Sequence, residues 1–310
     1  MHYKNFEELN RQVLARERPV KMAVVCANDV HSIDGAMLGF QKGIVEPILI
    51  GDQSKIEQIL SKHHFTKKPQ IIHAEDREAA LKAFVKLNRE TELGAVMKGL
   101  IETPVLMKTI LDKENGLRTG RLMSHFALFE IPGYHKLMGI TDIALAIEPT
   151  LEQKISIIHN AVQYMSRLGI SPVKTAVLTA FEKVNPKMQD TVDAAKLAEM
   201  GANGEFPNAI VEGPISYDIM WSKEAADVKQ VDSKISGDTD LLIMPNLTSG
   251  NILAKALGLT MGAKSAGIVL GAKVPIVMVS RSSDEDVKLQ SIIMACAAAA
   301  KTEGEERDDS

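Results

Sequence analysis

Two stretches of this chain run from an apolar segment straight into polar side chains that could do chemistry. The first is Leu241-Leu-Ile-Met-Pro245-Asn246-Leu-Thr-Ser-Gly250-Asn251. Asn246 and Asn251 offer amide donors, Gly250 would let the backbone approach a ligand closely, and a helix start there would add free N–H groups that favour an anion. The same pattern also describes an ordinary strand-to-helix turn with a cap. The second is Pro275-Ile-Val-Met-Val-Ser280-Arg281-Ser-Ser-Asp284-Glu-Asp286. Arg281 could hold a phosphate through paired N–H donors, and Ser280 could donate to a developing oxyanion. Asp284 and Asp286 read two ways: as caps complementing a helix dipole, or as a general base.

Other familiar sites are missing. No G-x-G-x-x-G occurs, so the usual dinucleotide fingerprint is absent. Gly258 to Ser265 imitates a phosphate loop, but its glycine spacing is wrong and no strand leads into it. The eight histidines lack metal-ligand spacing; His125 and His135 could pair, but two histidines do not make a metal site.

Elements must position these groups. Short β-rich runs alternate with longer amphipathic segments. Strands are expected at Met22–Cys26, Pro47–Ile50, Ile71–His73 and Ala95–Met97, with helices over Gly35–Gly43, from Ser54, from Asp76 and from Pro104. Leu122–Ile131 and Leu137–Ile147 then read as two antiparallel strands joined through Pro132-Gly133. Alternation resumes with a helix over Leu151–Leu168, a strand at Thr175–Leu178, a helix over Met188–Met200 and a strand at Ala209–Val211. It continues through the strand Leu241–Met244, a helix from Thr248, strands at Gly267–Leu270 and Pro275–Val279, and a helix over Asp284–Ala300. This pattern predicts an α/β protein with mostly parallel sheets and helices on both faces. About ten strands are many for one open sheet, so two α/β domains are expected. The expected division is residues 1–145 plus 285–310 and residues 146–284, with a disordered charged tail at 302–310.

Composition narrows the function classes. The 310 residues are 45% hydrophobic and 25% charged, ordinary for a globular protein, and the net charge of −4 argues against a nucleic-acid binder. Cys26 and Cys296 are the two cysteines, both in apolar surroundings, so no disulfide framework is expected. No signal-like N-terminus or run of ~20 apolar residues is seen, which points to a cytoplasmic protein without membrane spans.

Several long motifs in order resemble the phosphate acetyl/butyryltransferase (phosphotransacylase) family over nearly the whole chain. They are Gly43–Gly51, Gly116-Leu-Arg-Thr-Gly-Arg-Leu-Met-Ser-His125, Val211-Glu-Gly-Pro-Ile-Ser-Tyr-Asp218, Asp240–Asn251 and Gly267–Arg281. Val211–Asp218, with Lys223–Ala226 after it, is similar to the butyryl branch. The resemblance implies two α/β domains with a cleft between them, on a fold similar to isocitrate and isopropylmalate dehydrogenases, and homodimers or higher oligomers. It implies reversible transfer of a short acyl group, butyryl favoured and acetyl the alternative, between coenzyme A and inorganic phosphate in a ternary complex. CoA is then a substrate, and neither a further cofactor nor a catalytic metal is required. Ser280 and Arg281 would be catalytic, with Asp286 the first choice of base and Asp284 the second. Asn246, Gly250, Asn251 and Lys98 would bind substrate, Lys98 reaching CoA phosphates from the loop after the fourth strand. Family members often carry Asp where this chain has Asn246. A decarboxylating dehydrogenase would need clustered aspartates around a divalent metal, which Asp284 and Asp286 alone do not supply. A non-catalytic CoA or acyl-phosphate binder is the remote alternative.

Overall fold

The computed structural model describes residues 2–15, 18–63, 65–279 and 284–299. Ser280, Arg281 and the tail at 302–310 lie outside the described residues.

The chain forms two compact units. A terminal unit comprises residues 7–121 and 266–310, and a middle unit comprises residues 1–6 and 122–265. The chain crosses between the units at 6/7, 121/122 and 265/266, whereas the sequence reading placed the crossings at 145/146 and 284/285. The reason is pairing. The 124–141 hairpin is hydrogen-bonded into the middle unit's sheet, and the two strands before the last helix pair with the terminal unit's.

The terminal unit carries β1 (Val20–Val25), α2 (Val30–Gln41), β2 (Val45–Gly51), α3 (Gln53–Ser61), β3 (Gln70–His73), α4 (Arg77–Glu90), β4 (Ala95–Lys98) and α5 (Thr103–Ile110). Helix α1 (Phe6–Leu14) leads into it, and β10 (Lys264–Leu270), β11 (Ile276–Val277) and α11 (Glu285–Ala299) complete it. Its strands run in the order β3-β2-β1-β4-β11-β10, parallel except for the antiparallel pair β10/β11. Buried on both faces, β1 reads as the continuous apolar run Met22-Ala-Val-Val25. The helices start where short acids cap them: Asp29, Asp52 and Asp76 each accept a backbone N–H from the first turn. The cap at Asp29 brings the start of α2 forward to Val30 from the expected Gly35. On α4 the expected apolar face of Ala80, Phe84 and Leu87 is buried. Both cysteines are buried, and burial pushes the Cys26 thiol up to about 11.

The middle unit carries β5 (Ser124–Glu130), β6 (Met138–Thr141), α6 (Leu151–Arg167), β7 (Val173–Leu178), α7 (Gln189–Ala202), β8 (Ala209–Ile215), α8 (Tyr217–Trp221), α9 (Lys223–Lys229), β9 (Leu241–Ile243) and α10 (Leu247–Met261). Its strand order is β5-β6-β9-β7-β8, with only β5/β6 antiparallel, as the Pro132-Gly133 turn suggested. Its core gathers Phe129, Met138, Ile140, Ile219, Leu242 and their neighbours. A capping box between Thr150 and Gln153 opens α6. The expected strand at 137–147 is cut to Met138–Thr141, because Asp142 turns the chain there.

Candidate functional site

In open parallel sheets, ligands collect beyond the carboxyl ends of the strands where the strand order reverses. The terminal unit reverses between β1 and β4, since β2 and β3 lie to one side and β4 and β11 to the other. The backbone is tightly drawn there. Cys26 ends β1 at φ 59°, an uncommon conformation for a residue with a Cβ. Gly99 follows β4 so closely that a Cβ on it would lie 2.2 Å from the Cys26 carbonyl oxygen. A cavity opens at this point, lined by Asp29, His31, Ser32, Lys98, Gly99 and Lys288, with Met97 and Val279. Lys98 is the last residue of β4, not part of the loop after it, and its Nζ donates to Ile101 O at 3.0 Å and Gly99 O at 3.4 Å. Val279, the described residue before Ser280, also reaches the cavity.

The two acids at the start of α11 differ in their surroundings. Asp284 is the cap, its Oδ1 accepting Val287 N–H at 2.8 Å. Asp286 is exposed in the first turn.

In the middle unit, Asn246, Gly250 and Asn251 stand together on the first turns of α10. Asn246 is its N-cap, accepting Ser249 N–H at 3.0 Å. The loss of the acid common in the family therefore leaves the cap intact, because Asn and Asp cap equally well. Gly250 packs tightly against the chain's own backbone. A Cβ there would lie 2.6 Å from Asp142 O and 3.1 Å from both Ile143 Cγ2 and Met244 Cγ. What approaches the backbone at Gly250 is the chain's own 142–143 segment. Asn251 Nδ2 donates to Ile143 O at 3.2 Å, which occupies one of its two N–H donors.

That segment is organised by Asp142, which sequence reading missed. Its Oδ2 accepts His125 N–H at 2.8 Å, and its Oδ1 accepts Ala144 and Leu145 N–H, each at 2.7 Å. Thr141 Oγ1 donates to His125 O at 2.8 Å. His125 and His135 do not pair. The β5/β6 register puts His125 at the open end of the hairpin, while His135 sits near its turn, 3.0 Å from Asp238 Oδ1. Burial lowers the pKa of His125, with the Asp142 charge opposing. Gly258–Ser265 is likewise no phosphate loop. It is the end of α10, with Gly262 as a left-handed C-cap, running into β10.

Elsewhere in the terminal unit a groove of about 540 Å³ lies between α4 and α5, lined by Leu81, Val85, Lys86 and Lys108 among others. Its walls are mostly side chains of α4 and α5, with Asp112 and Asn115 beyond the end of α5. Among the described residues no group of three or more His, Cys, Asp or Glu could hold a metal ion. Among them, too, no helix is long and apolar enough to cross a membrane.

A family model described as phosphate acetyl/butaryl transferase matches residues 82–296. The chain is 41% identical over 280 residues to a phosphate acetyltransferase of Rickettsia typhi, spanning 90% of this chain and 80% of that protein. It is 36% identical over 303 residues to a phosphate butyryltransferase of Clostridium acetobutylicum, spanning 96% and 98% of the two. Among solved structures, a branched-chain phosphotransacylase from Enterococcus faecalis superposes with a TM-score of 0.78 at 28% identity, covering 91% of this chain and 99% of that one. The chain belongs to the phosphate acetyl/butyryl transferase family and is an acyl-CoA:phosphate acyltransferase.

Proposed function

We propose that the chain is a phosphate butyryltransferase, moving a four-carbon acyl group reversibly between coenzyme A and inorganic phosphate. The likeness to the branched-chain phosphotransacylase carries this reading, and the butyryl-type segment Val211–Asp218 supports it. Phosphate acetyltransferase is the second reading, favoured by the 41% identity to the Rickettsia typhi enzyme.

The step is a displacement at a carbonyl carbon. A phosphate oxygen attacks the thioester, forming a C–O bond and a tetrahedral oxyanion. Collapse breaks the C–S bond, and the CoA sulfur leaves with its electron pair. Arg281 holds the phosphate as a two-pronged cation, and Ser280 and Asn251 donate to the oxyanion. Asp286 returns a proton to the leaving sulfur. In reverse it removes the proton from a thiol whose ordinary pKa is about 8.5. Lys98 holds a CoA phosphate. CoA is a substrate in this scheme, and no further cofactor is required.

The test is CoA release from acetyl-, propionyl-, butyryl- and valeryl-CoA, with and without phosphate, in the presence of a chelator. Phosphate-dependent release is expected, fastest with butyryl-CoA. One methylene changes binding by ~1–3 kcal/mol, so neighbouring chain lengths should differ by about tenfold or more. A maximum at acetyl-CoA would replace the butyryl reading with the acetyl one, and loss of activity on chelation would refute the metal-independent scheme.

The enzyme is further proposed to be a cytoplasmic homodimer. The location is supported by two buried free thiols. The dimer is supported by α10, an apolar helix that leaves Ile252 63% and Leu259 85% exposed, with exposed Ala256 between them at helical spacing. Light scattering should give at least twice the 33.8 kDa chain mass, falling to the single-chain value in Leu259→Lys. A monomeric wild type would rule this out.

A further inference from the structure

The groove between α4 and α5 plays no part in the reaction proposed above. Its volume of about 540 Å³ lies within the range of small-molecule sites, and Glu78, Leu81, Lys82, Val85, Lys86, Arg89 and Glu90 all line it. These positions recur at intervals of three and four, so the groove follows one face of α4 for most of the helix, about 18 Å at ~1.5 Å per residue. That leaves a section of about 30 Å², too narrow for a helix ~10 Å across with its side chains. A single extended chain fits. Leu81 and Val85, four residues apart and both partly covered, give the groove an apolar floor.

The polar groups along the groove are unevenly matched. Glu78 Oε1 is 2.8 Å from Lys82 Nζ, and Glu90 Oε1 is 4.0 Å from Lys86 Nζ. Asp112 Oδ1 accepts the Glu114 and Asn115 N–H groups at 3.1 and 2.8 Å. Arg89 and Lys108, in the last turns of α4 and α5, take part in no ion pair or side-chain hydrogen bond among the described residues. Because α4 and α5 each follow a strand of the parallel set, their C-terminal ends point the same way, and the two cations share one end of the groove. Each suits the negative end of its own helix, but such an end carries only about half a charge. Asn115 lines the same end, and its Oδ1 is buried without a hydrogen-bond partner. The two halves of an amide exchange by a half-turn, so Asn115 can offer an N–H to an anion there. Two unpaired cations and one unsatisfied amide thus stand at the end of an apolar trough.

We propose that this groove binds a free, unbranched carboxylic acid, with its hydrocarbon chain along Leu81 and Val85 and its carboxylate held by Arg89, Lys108 and Asn115. Arginine gives a carboxylate paired, directed hydrogen bonds, and the chain gains by leaving water. The site is separate from the reaction proposed above. It takes the free acid, with neither phosphate nor coenzyme A, and its occupancy does not depend on turnover.

Calorimetric titration of the full chain with decanoate, in the absence of CoA and phosphate, should show a single site per chain. Binding should tighten about three- to fourfold for each methylene added between hexanoate and decanoate, as burial of a CH₂ group does. Decanol keeps the chain and loses the charge, and should bind about tenfold more weakly. Arg89→Gln combined with Lys108→Gln should weaken decanoate by about tenfold or more and leave decanol unchanged. Both side chains are exposed, so the melting temperature of that variant should stay close to wild type. Val85→Trp, which fills the groove, should weaken acid and alcohol alike. A wild type that does not bind decanoate would overturn the proposal. Decanoate affinity within twofold of wild type in either folded variant would do the same, as would uptake of many decanoates per chain that neither variant alters. Retention on vesicles of anionic lipid without binding of free decanoate would assign the groove to a membrane surface instead and equally overturn it.

Discussion

Arg281→Ala is expected to lower kcat/KM for phosphate by about a thousandfold, through a higher phosphate KM together with a lower kcat. Removing a donor aimed at developing charge typically costs ~10²–10³ in rate, and a two-pronged cation on a phosphate contributes binding as well. The residues leading to it explain why it is the candidate. Ile276 and Val277 are fully buried and pair with Val96 and Met97 of β4, so β11 is anchored in the sheet just before the polar run begins. Arg281→Lys should recover part of the phosphate affinity but not the rate, since an ammonium keeps the charge and loses the fork. CoA release measured across a phosphate series separates the two parameters. Unchanged kinetics in Arg281→Ala would remove the residue from the site.

Asp286→Asn is expected to have the second large effect, in the direction that makes acyl-CoA. Without a base for the thiol, kcat should fall by about 10²–10⁴. Asp284 supplies the control. It caps α11 by accepting the Val287 N–H, and Asn caps as well as Asp, so Asp284→Asn should leave both rate and melting temperature close to wild type. Asp284→Ala should lose the cap, ~1 kcal/mol of stability, with little change in rate. Adding free thiol at higher pH should narrow the gap between Asp286→Asn and wild type, because solvent then supplies the thiolate. A larger loss in Asp284→Asn than in Asp286→Asn would reassign the base.

Periodicity and capping made most of the framework legible. The apolar run of β1, the face of α4 at Ala80, Phe84 and Leu87, and the hairpin around Pro132-Gly133 were all written in local pattern. What escaped was set by distant partners. Asp142 reads as one acid in a mixed stretch, and its role depends on the register that brings His125 opposite it. The sequence does not show that the Asp142 carbonyl lies close against Gly250. Lys288 follows acids in a helical run, and only the close approach of Gly35 and Gly39 of α2 to α11 reveals that it is covered. The unit boundaries differ from the expected ones for the same reason, since strand pairing, not chain order, decides where the 124–141 hairpin belongs. Short α8 and α9 were missed because five and seven residues carry too little periodicity to announce themselves.

The terminal unit is sewn from two separated stretches, residues 7–121 and 266–310. Its β4 pairs on one side with β1 and on the other with β11, a strand that arrives 178 residues later in the numbering, from Lys98 to Ile276. During synthesis, residues 7–121 leave the ribosome with the far side of β4 unpaired and with Gly35 and Gly39 uncovered by α11. The middle unit, apart from its six N-terminal residues, is contiguous and can close while translation continues. The segment proposed above to be catalytic lies between the closing strand β11 and the closing helix α11, so it is translated after every strand of both units. A chain ending before β11 would carry an open β edge, a template for aggregation, and would lack the groups proposed to handle phosphate.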